Sequence, residues 1–148
     1  MTIEVGSKLP EAKLGVMRAD GPGAVQASEF FKGRKVALFG VPGAFTPTCS
    51  AKHLPGFKEK AAELKAKGID EIACVSVNDV FVMGAWGKQQ DVGDNVTMLA
   101  DGEGQFAKDM GLDFTIPGLG LRNKRFSLVA DDGVVTQLNV EDGGDFKV

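Results

Sequence analysis

The stretch Lys35-Val36-Ala37-Leu38-Phe39-Gly40-Val41 decides the fold of this chain of 148 residues. It is a short apolar run with β-branched residues, which predicts a buried strand. A loop rich in proline, glycine and threonine follows from Pro42 to Thr48. A helical pattern then begins near Cys49, is interrupted by Pro55-Gly56 and resumes from Phe57 to Lys67. A cysteine therefore stands where a short loop enters a helix, directly after a buried strand.

Strand and helix patterns alternate along the rest of the chain. They comprise a turn of helix at Phe30-Phe31, a strand at Glu71–Val77, a helix from Asn78 or Asp79 to about Gln90, a strand at Val96–Ala100, a short helix at Gln105–Met110, and a hairpin of Arg125–Ala130 and Val134–Asn139 around Asp131-Asp132-Gly133. Crossover helices predict a mainly parallel core sheet, to which the hairpin adds an antiparallel edge. The pattern therefore predicts one α/β domain over residues 1–148.

Composition and charge exclude several classes of protein. Hydrophobic residues make up 43% of the chain and charged residues 25%, which is typical of a globular domain. The 17 basic and 20 acidic residues give a net charge of −3, which disfavours nucleic acid as a partner. No apolar run approaches the ~20 residues of a membrane helix, and the N-terminus lacks the pattern of a secretory signal. Two cysteines form no disulfide scaffold, so we expect a reducing compartment, the cytoplasm.

Cys49 is the first candidate for chemistry. Backbone N–H groups and the helix dipole favour an anion at a helix start, where thiol pKa values fall. The alternative is that Thr48 caps the helix and Cys49 is an inert apolar residue. Complete ionisation of a thiol gains only about 30-fold, or about 2 kcal/mol. Fast thiol chemistry here would therefore also need a hydroxyl and a cation that stabilise the transition state.

The run from Gly40 to Ser50 resembles the peroxiredoxin active-site pattern Pro-x-x-x-Thr-x-x-Cys. Further matching blocks narrow the resemblance to the atypical or type II peroxiredoxins, the peroxiredoxin-5 group. They are His53–Phe57, Val75–Asp79, Trp86-Gly87, Leu99–Asp101 and Arg125–Ser127. The match is specific, because a motif of fixed spacing recurs with independent blocks in the family's order over most of the chain.

The resemblance implies a thioredoxin-like fold, with a central mixed sheet flanked by helices, and reduction of hydrogen peroxide or alkyl hydroperoxides. It makes Cys49 the peroxidatic cysteine that becomes a sulfenic acid. Thr46 would hold peroxide and thiolate, Pro42 would shield the pocket from water, and Arg125 would stabilise thiolate and transition state. Arg122 could assist, although a solvated strand end also explains it. The resemblance further implies regeneration by glutathione with glutaredoxin or by thioredoxin, and no metal or organic cofactor.

Cys74 lies 25 residues after Cys49, in the middle of a predicted strand. Core packing explains such a thiol most simply, because free cysteine is among the most buried residue types. Plant-type members of the resembled family carry a cysteine at the matching place, which makes Cys74 a candidate resolving cysteine. Another redox role is the third interpretation.

Other patterns have simpler structural explanations. His53 shares a helical face with Cys49, but the spacing matches no common zinc site, so we expect a structural role. The run Gly102–Ala107 fits a loose dinucleotide-binding pattern, yet its acidic neighbours would repel a pyrophosphate, so we expect a turn. Phe45, Phe81 and Trp86 are either core residues or an apolar patch, through which the resemblance implies a homodimer.

The end of the chain and two rival functions complete the sequence-based hypotheses. Relatives in this group continue past the hairpin into a last helix, whereas this chain ends at Gly143–Val148. A trimmed chain and a module of a peroxiredoxin–glutaredoxin fusion are both compatible with that end.

Two rival functions are alternatives to the peroxidase. A disulfide oxidoreductase needs Cys-x-x-Cys, but Thr46 holds the first position. A redox sensor or chaperone would oxidise Cys49 without multiple turnover, and a structural module would leave the thiol inert.

Overall fold

The computed structural model describes residues 2–46, 54–93 and 95–141. Its strands are β1 Lys13–Arg18, β2 Gly21–Gln26, β3 Lys35–Gly40, β4 Glu71–Ser76, β5 Thr97–Ala100, β6 Asp113–Ile116, β7 Gly120–Asn123, β8 Phe126–Asp131 and β9 Val134–Val140. Its helices are α1 Ala27–Phe31, α2 Leu54–Glu59, α3 Ala61–Ala66, α4 Val80–Gln89 and α5 Gln105–Met110. Among the described residues, no helix is long and apolar enough to cross a membrane.

Seven strands form one mixed sheet in the order β2-β1-β5-β4-β3-β8-β9. The central strands β3, β4 and β5 are parallel, whereas β8 runs antiparallel to β3 and β9 runs antiparallel to β8. The β1–β2 hairpin forms the other edge, and β6 and β7 form a separate two-stranded sheet. The predicted parallel core with an antiparallel hairpin edge is confirmed. Because β3, β4 and β5 are parallel, the loops that follow them leave the same edge of the sheet.

Alternate residues of β3 face two apolar cores on opposite sides of the sheet. Val36 and Leu38 belong to the core that includes residues of α1 and α5. Ala37 and Phe39 belong to the core that includes residues of α2, α3 and α4. Burial on both faces explains why the strand is a continuous apolar run rather than an alternating one.

The helix after the Cys49 region is interrupted at a different residue from the one predicted. Pro55 and Gly56 lie inside α2 rather than between two helices, so that prediction is wrong. The break falls at Lys60, which separates α2 from α3 with φ of −94° and ψ of 6°. Leu54 is completely buried, and such packing overrides the weak helix propensity of proline and glycine.

The β1–β2 and β6–β7 hairpins were not predicted. The first has a composition that disfavours strands, whereas the second has a turn signal that could have been read. Strand β2 is Gly-Pro-Gly-Ala-Val-Gln, a composition that disfavours strands, and it forms by pairing along the whole of β1. The β6–β7 hairpin carried a readable turn signal in Pro117-Gly118. The Leu119 N–H donates to the Ile116 oxygen at 3.0 Å, and Gly118 has φ of +85°. Proline followed by a glycine of positive φ is the signature of a type II turn.

The final residues of the chain, Gly143–Val148, lie outside the described residues, and so does the expectation about a last helix. The hairpin before them is confirmed: Asp131 pairs with Val134, and the two residues between them have φ of +51° and +81°. Positive φ at both positions is the geometry for which an Asp-Gly pair is suited.

Candidate active site

The loop Pro42–Thr46 leaves the buried strand β3 at the edge of the sheet. Pro42 and Gly43 are buried, and Thr46 is half-buried. The Thr46 Oγ1 hydroxyl donates to the Gly43 oxygen at 2.7 Å, and the Thr46 backbone N–H donates to the same oxygen at 3.4 Å. Phe45 has φ of +64°, a left-handed conformation within this turn. Because its proton is directed at Gly43, the Thr46 hydroxyl oxygen can accept a hydrogen bond from a ligand.

Polar residues at the end of β4 anchor the loop from one side. Asn78 Oδ1 accepts from the Ala44 N–H at 3.0 Å and lies 2.7 Å from Ser76 Oγ, which is 3.2 Å from the Val41 oxygen. Asp79, and not Asn78, caps α4. An asparagine two residues after the serine that ends a central parallel strand is the signal that could have identified this anchor.

Arg122 holds the same region from another side. Its Nη1 donates to the Val77 oxygen at 3.2 Å, and its Nε donates to the Leu119 oxygen at 3.2 Å. The residue is half-buried at the end of the β6–β7 hairpin. The interpretation of Arg122 as a solvated strand end is therefore wrong, because its guanidinium is engaged with backbone carbonyls.

Arg125 stands directly before β8, next to the end of β3. Phe126 pairs with Gly40, so Arg125 and Pro42 lie at the same end of neighbouring antiparallel strands. The Arg125 side chain is almost completely buried, with 2% of the residue exposed. Its backbone oxygen accepts from the Glu141 N–H at 2.9 Å. A guanidinium is always charged, and burial weakens the screening of that charge by water, so Arg125 is a strong local cation.

Comparisons with known proteins agree with this geometry. The Redoxin family model matches residues 4–147. Peroxiredoxin-2E-2, chloroplastic, of Oryza sativa subsp. japonica is 54% identical over 98% of this chain and 68% of that protein. Peroxiredoxin-2B of Arabidopsis thaliana is 50% identical over 99% of this chain and 92% of that protein. The crystal structure of reduced Prx3 from Vibrio vulnificus, in complex with hydrogen peroxide, matches with a TM-score of 0.95 and 49% identity, over 99% of this chain and 93% of that one.

This chain belongs to the peroxiredoxin family. It is accordingly a thiol peroxidase that reduces peroxides, and its thioredoxin-like fold with a central mixed sheet is confirmed. The chain spans 64% of the chloroplastic peroxiredoxin-2E of Arabidopsis thaliana, so that relative is the longer protein.

The predicted catalytic set of this peroxiredoxin is only partly described. Pro42, Thr46 and Arg125 come together at one edge of the sheet, where β3 ends and β8 begins. Cys49 and His53 lie outside the described residues. The peroxidatic role of Cys49, which rests on the motif, and the structural role of His53 therefore stay predictions.

Cys74 lies in the middle of the central strand β4. Phe39 of β3 and Met98 of β5 are its register partners, and none of its surface is exposed. The thiol belongs to the apolar core that also contains Met83 and Trp86. This environment agrees with the core-packing interpretation. A resolving role for Cys74 stays a prediction, and it would require this core to open.

The aromatic residues Phe45, Phe81 and Trp86 differ in their exposure. Phe45 is 48% exposed and Phe81 is 62% exposed, so both present apolar surface. Trp86 is completely buried, so its assignment to a surface patch is wrong. Its ring lies 6.4 Å from that of Phe45, centroid to centroid, and it therefore supports the exposed ring from inside the core.

The loop after β5 is a turn, as predicted, and its helix start is closed by the chain's own carboxylate. Asp101 accepts the N–H of Phe106 at 3.1 Å and that of Ala107 at 2.9 Å. Asp101 is 2% exposed, and burial raises the pKa of its carboxyl above the ordinary 3.8. With these N–H groups occupied by an anion, the loop offers no place for a dinucleotide phosphate.

Proposed function

We propose that Cys49 is the peroxidatic residue of this enzyme. Its thiolate attacks the terminal oxygen of a hydroperoxide, so that a sulfur–oxygen bond forms as the oxygen–oxygen bond breaks. The sulfur loses two electrons and becomes a sulfenic acid, while the departing oxygen takes a proton and leaves as water or an alcohol. The peroxiredoxin motif around Cys49 carries this assignment, and the placement of Pro42, Thr46 and Arg125 near the end of β3 supports it.

Thr46 orients the peroxide in this proposal. Its hydroxyl proton is committed to the Gly43 oxygen at 2.7 Å, so its oxygen accepts the O–H of the hydroperoxide. That hydrogen bond fixes which peroxide oxygen faces the thiolate. Correct placement of two reactants supplies much of the rate of such a displacement.

Arg125 stabilises the charge that moves through the transition state. Negative charge passes from the sulfur to the departing oxygen, and a guanidinium can donate to both. A unit charge at about 4 Å is worth up to about 4 kcal/mol at an effective dielectric of 20. That exceeds the about 2 kcal/mol available from ionising the thiol. Pro42, buried at the loop start, keeps water out of the pocket.

An external thiol completes the cycle in this proposal. The reductant attacks the sulfenic sulfur and releases water, and a second thiol breaks the mixed disulfide and restores Cys49. We expect either glutathione with glutaredoxin or thioredoxin to supply these thiols, in a reducing compartment such as the cytoplasm. Because Cys74 is completely buried, direct reduction by the external thiol is favoured over an internal disulfide.

A homodimer is the assembly we propose. Phe45 and Phe81 are both large, exposed and apolar, and Phe45 lies in the loop Pro42–Thr46, directly before Thr46. A partner that covers them would bury apolar surface beside the active site. Sedimentation analysis would detect the dimer, and Phe81→Asp would convert it to a monomer.

The peroxidase assignment is tested by mixing the reduced protein with one equivalent of hydrogen peroxide and following intact mass. We expect a gain of one oxygen at Cys49 within a second, loss of that product in Cys49→Ser, and its retention in the matched control Cys74→Ser. A loss of two hydrogens would instead make Cys74 the resolving residue. Oxidation no faster than that of a free thiol would refute the proposal.

Turnover separates the enzyme from a redox sensor. Excess peroxide is supplied with glutathione and glutaredoxin, or with thioredoxin and its reductase, and consumption of NADPH is followed. We expect many turnovers with at least one system, all lost in Cys49→Ser. A single turnover with both systems would favour the sensor or chaperone hypothesis.

A further inference from the structure

Arg122 is held at the active-site edge by hydrogen bonds to backbone carbonyls. Its Nη1 donates to the Val77 oxygen after β4, and its Nε donates to the Leu119 oxygen in the β6–β7 hairpin. These two acceptors belong to segments that are 42 residues apart in sequence, from position 77 to position 119. The guanidinium therefore fixes the hairpin against the end of the central strand β4.

The same guanidinium lies against the catalytic loop at Gly43. A methyl group added at Gly43 would lie 3.3 Å from Arg122 Nη1 and 3.1 Å from Thr46 Cγ2. Gly43 is thus enclosed between the side chains of Arg122 and Thr46. Gly43 also supplies the carbonyl that accepts the Thr46 hydroxyl, so the position of Gly43 sets the direction of that hydroxyl.

We propose that Arg122 is a positioning residue for peroxide reduction, which acts through Gly43 on the Thr46 hydroxyl. The inference rests on the proposed role of Thr46 and adds a residue to it. Asn78 holds the loop at Ala44, and Arg122 supports it at Gly43, so the two contacts fix the turn at neighbouring positions. Both depend on the segment directly after β4.

The planar fork of arginine suits this role better than a lysine. Two guanidinium nitrogens can donate to two carbonyls in fixed directions, whereas an ammonium is a compact point charge on a flexible stem. Arg122→Lys would keep the charge but lose the simultaneous contact with Val77 and Leu119. If the charge of Arg122 alone mattered, that variant would be fully active.

The test compares Arg122→Gln, Arg122→Lys and the matched control Lys124→Gln, which removes one positive charge two residues away. The backbone N–H of Lys124 donates to the Leu112 oxygen. The rate constant for oxidation by hydrogen peroxide is measured by stopped flow, and thiolate availability is measured as the iodoacetamide alkylation rate across pH. We expect a loss of about 10- to 100-fold in peroxide rate for Arg122→Gln and a smaller loss for Arg122→Lys. The alkylation profile should be unchanged, and Lys124→Gln should match the wild type.

A double-mutant cycle with Thr46→Val shows whether Arg122 acts through Thr46. Adding Arg122→Gln to Thr46→Val should change the peroxide rate by less than about twofold, because coupled residues are not additive. Independent, multiplying losses would overturn the proposal, and so would equal losses in Lys124→Gln or a shifted alkylation profile. Melting temperatures of all variants identify any that are simply unfolded.

Hydrogen exchange tests whether Arg122 supports the loop, independently of whether the protein is a peroxidase. Peptides that contain residues 42–46 should exchange faster in Arg122→Gln and Arg122→Lys than in Lys124→Gln. If the wild type reacted no faster than a free thiol, the proposed function would fail, while faster exchange would still show that Arg122 supports the loop. Unchanged exchange together with unchanged peroxide rate would overturn the positioning role alone.

Discussion

Strands β3 and β5 end at the same edge of the sheet, but the loops that follow them are held by different kinds of contact. After β5, the short carboxylate of Asp101 folds back and accepts the N–H groups of Phe106 and Ala107. After β3, the loop is held from outside, by Asn78 at Ala44 and by Arg122 against Gly43. The first arrangement closes a helix start with the chain's own anion, whereas the second holds the turn in which the Thr46 hydroxyl donates to the Gly43 oxygen.

The sign of the nearby charge separates these two strand ends further. The cavity at the β5 end is lined by three acidic residues, Asp79, Asp101 and Glu103, together with one lysine, Lys13. At the β3 end, Arg125 is an almost completely buried cation. A nucleophilic thiolate and a departing oxygen anion are stabilised by cations and destabilised by carboxylates. The sign of the charge therefore favours a thiolate at the β3 end over one at the β5 end.

The largest expected effect comes from removing the buried cation. Arg125→Met should lower the rate constant with hydrogen peroxide by about 10²- to 10³-fold, as for the loss of one donor to a developing anion. Stopped-flow oxidation of the reduced protein measures this rate constant, with Arg18→Gln, an exposed arginine of strand β1, as the control. A rate within threefold of the wild type would mean that the reaction with hydrogen peroxide does not depend on the charge of Arg125.

Gly40 and Gly102, one at each strand end, provide the second comparison. A methyl group on Gly40 would lie 2.7 Å from Asn123 Nδ2 and closer still to the buried Phe126 ring. On Gly102 the nearest atom would be 3.8 Å away. Gly40→Ala should therefore lower the free energy of unfolding by about 1–3 kcal/mol through overpacking, whereas Gly102→Ala should change it by less than about 0.5 kcal/mol. Urea denaturation distinguishes them, and equal losses would contradict the packing difference.

The smallest expected effect concerns Asp101, at the end of β5, and the pH dependence of the free energy of unfolding. Burial raises the folded-state pKa of Asp101 above 3.8, so the folded protein binds this proton more tightly than the unfolded chain. The resulting stabilisation is complete below about pH 3.8 and is lost as the pH rises through the raised pKa. Asp101→Asn removes this dependence, because an amide side chain does not titrate in this range.

Urea unfolding of wild type and Asp101→Asn across that pH range provides the measurement. The stability advantage of the wild type over Asp101→Asn should grow as the pH falls. Glu103→Gln, which removes an exposed charge from the same loop, is the matched control. An advantage that shrinks in acid would mean that the cap hydrogen bonds dominate over burial and hold the pKa down.

The sequence predicted the elements whose patterns are local. The continuous apolar run of β3, the Asp-Gly turn before β9 and the glycine at the end of α5 each encode their structure within a few residues. The exceptions depend on distant contacts. Strand β2 needs the whole of β1 as a partner, and Pro55-Gly56 stays helical where Leu54 is packed into the core.

The residues of the catalytic motif were readable from the sequence, because the Pro-x-x-x-Thr-x-x-Cys spacing is local. So was the choice of Arg125, through the block Arg125–Ser127. What only the tertiary structure decided is how the site is supported: the pairing of Gly40 with Phe126 brings Arg125 to the loop, and Asn78 and Arg122 reach it from other elements. These contacts join residues that are far apart in sequence, and no local pattern encodes the direction of a hydroxyl or the burial of a charge.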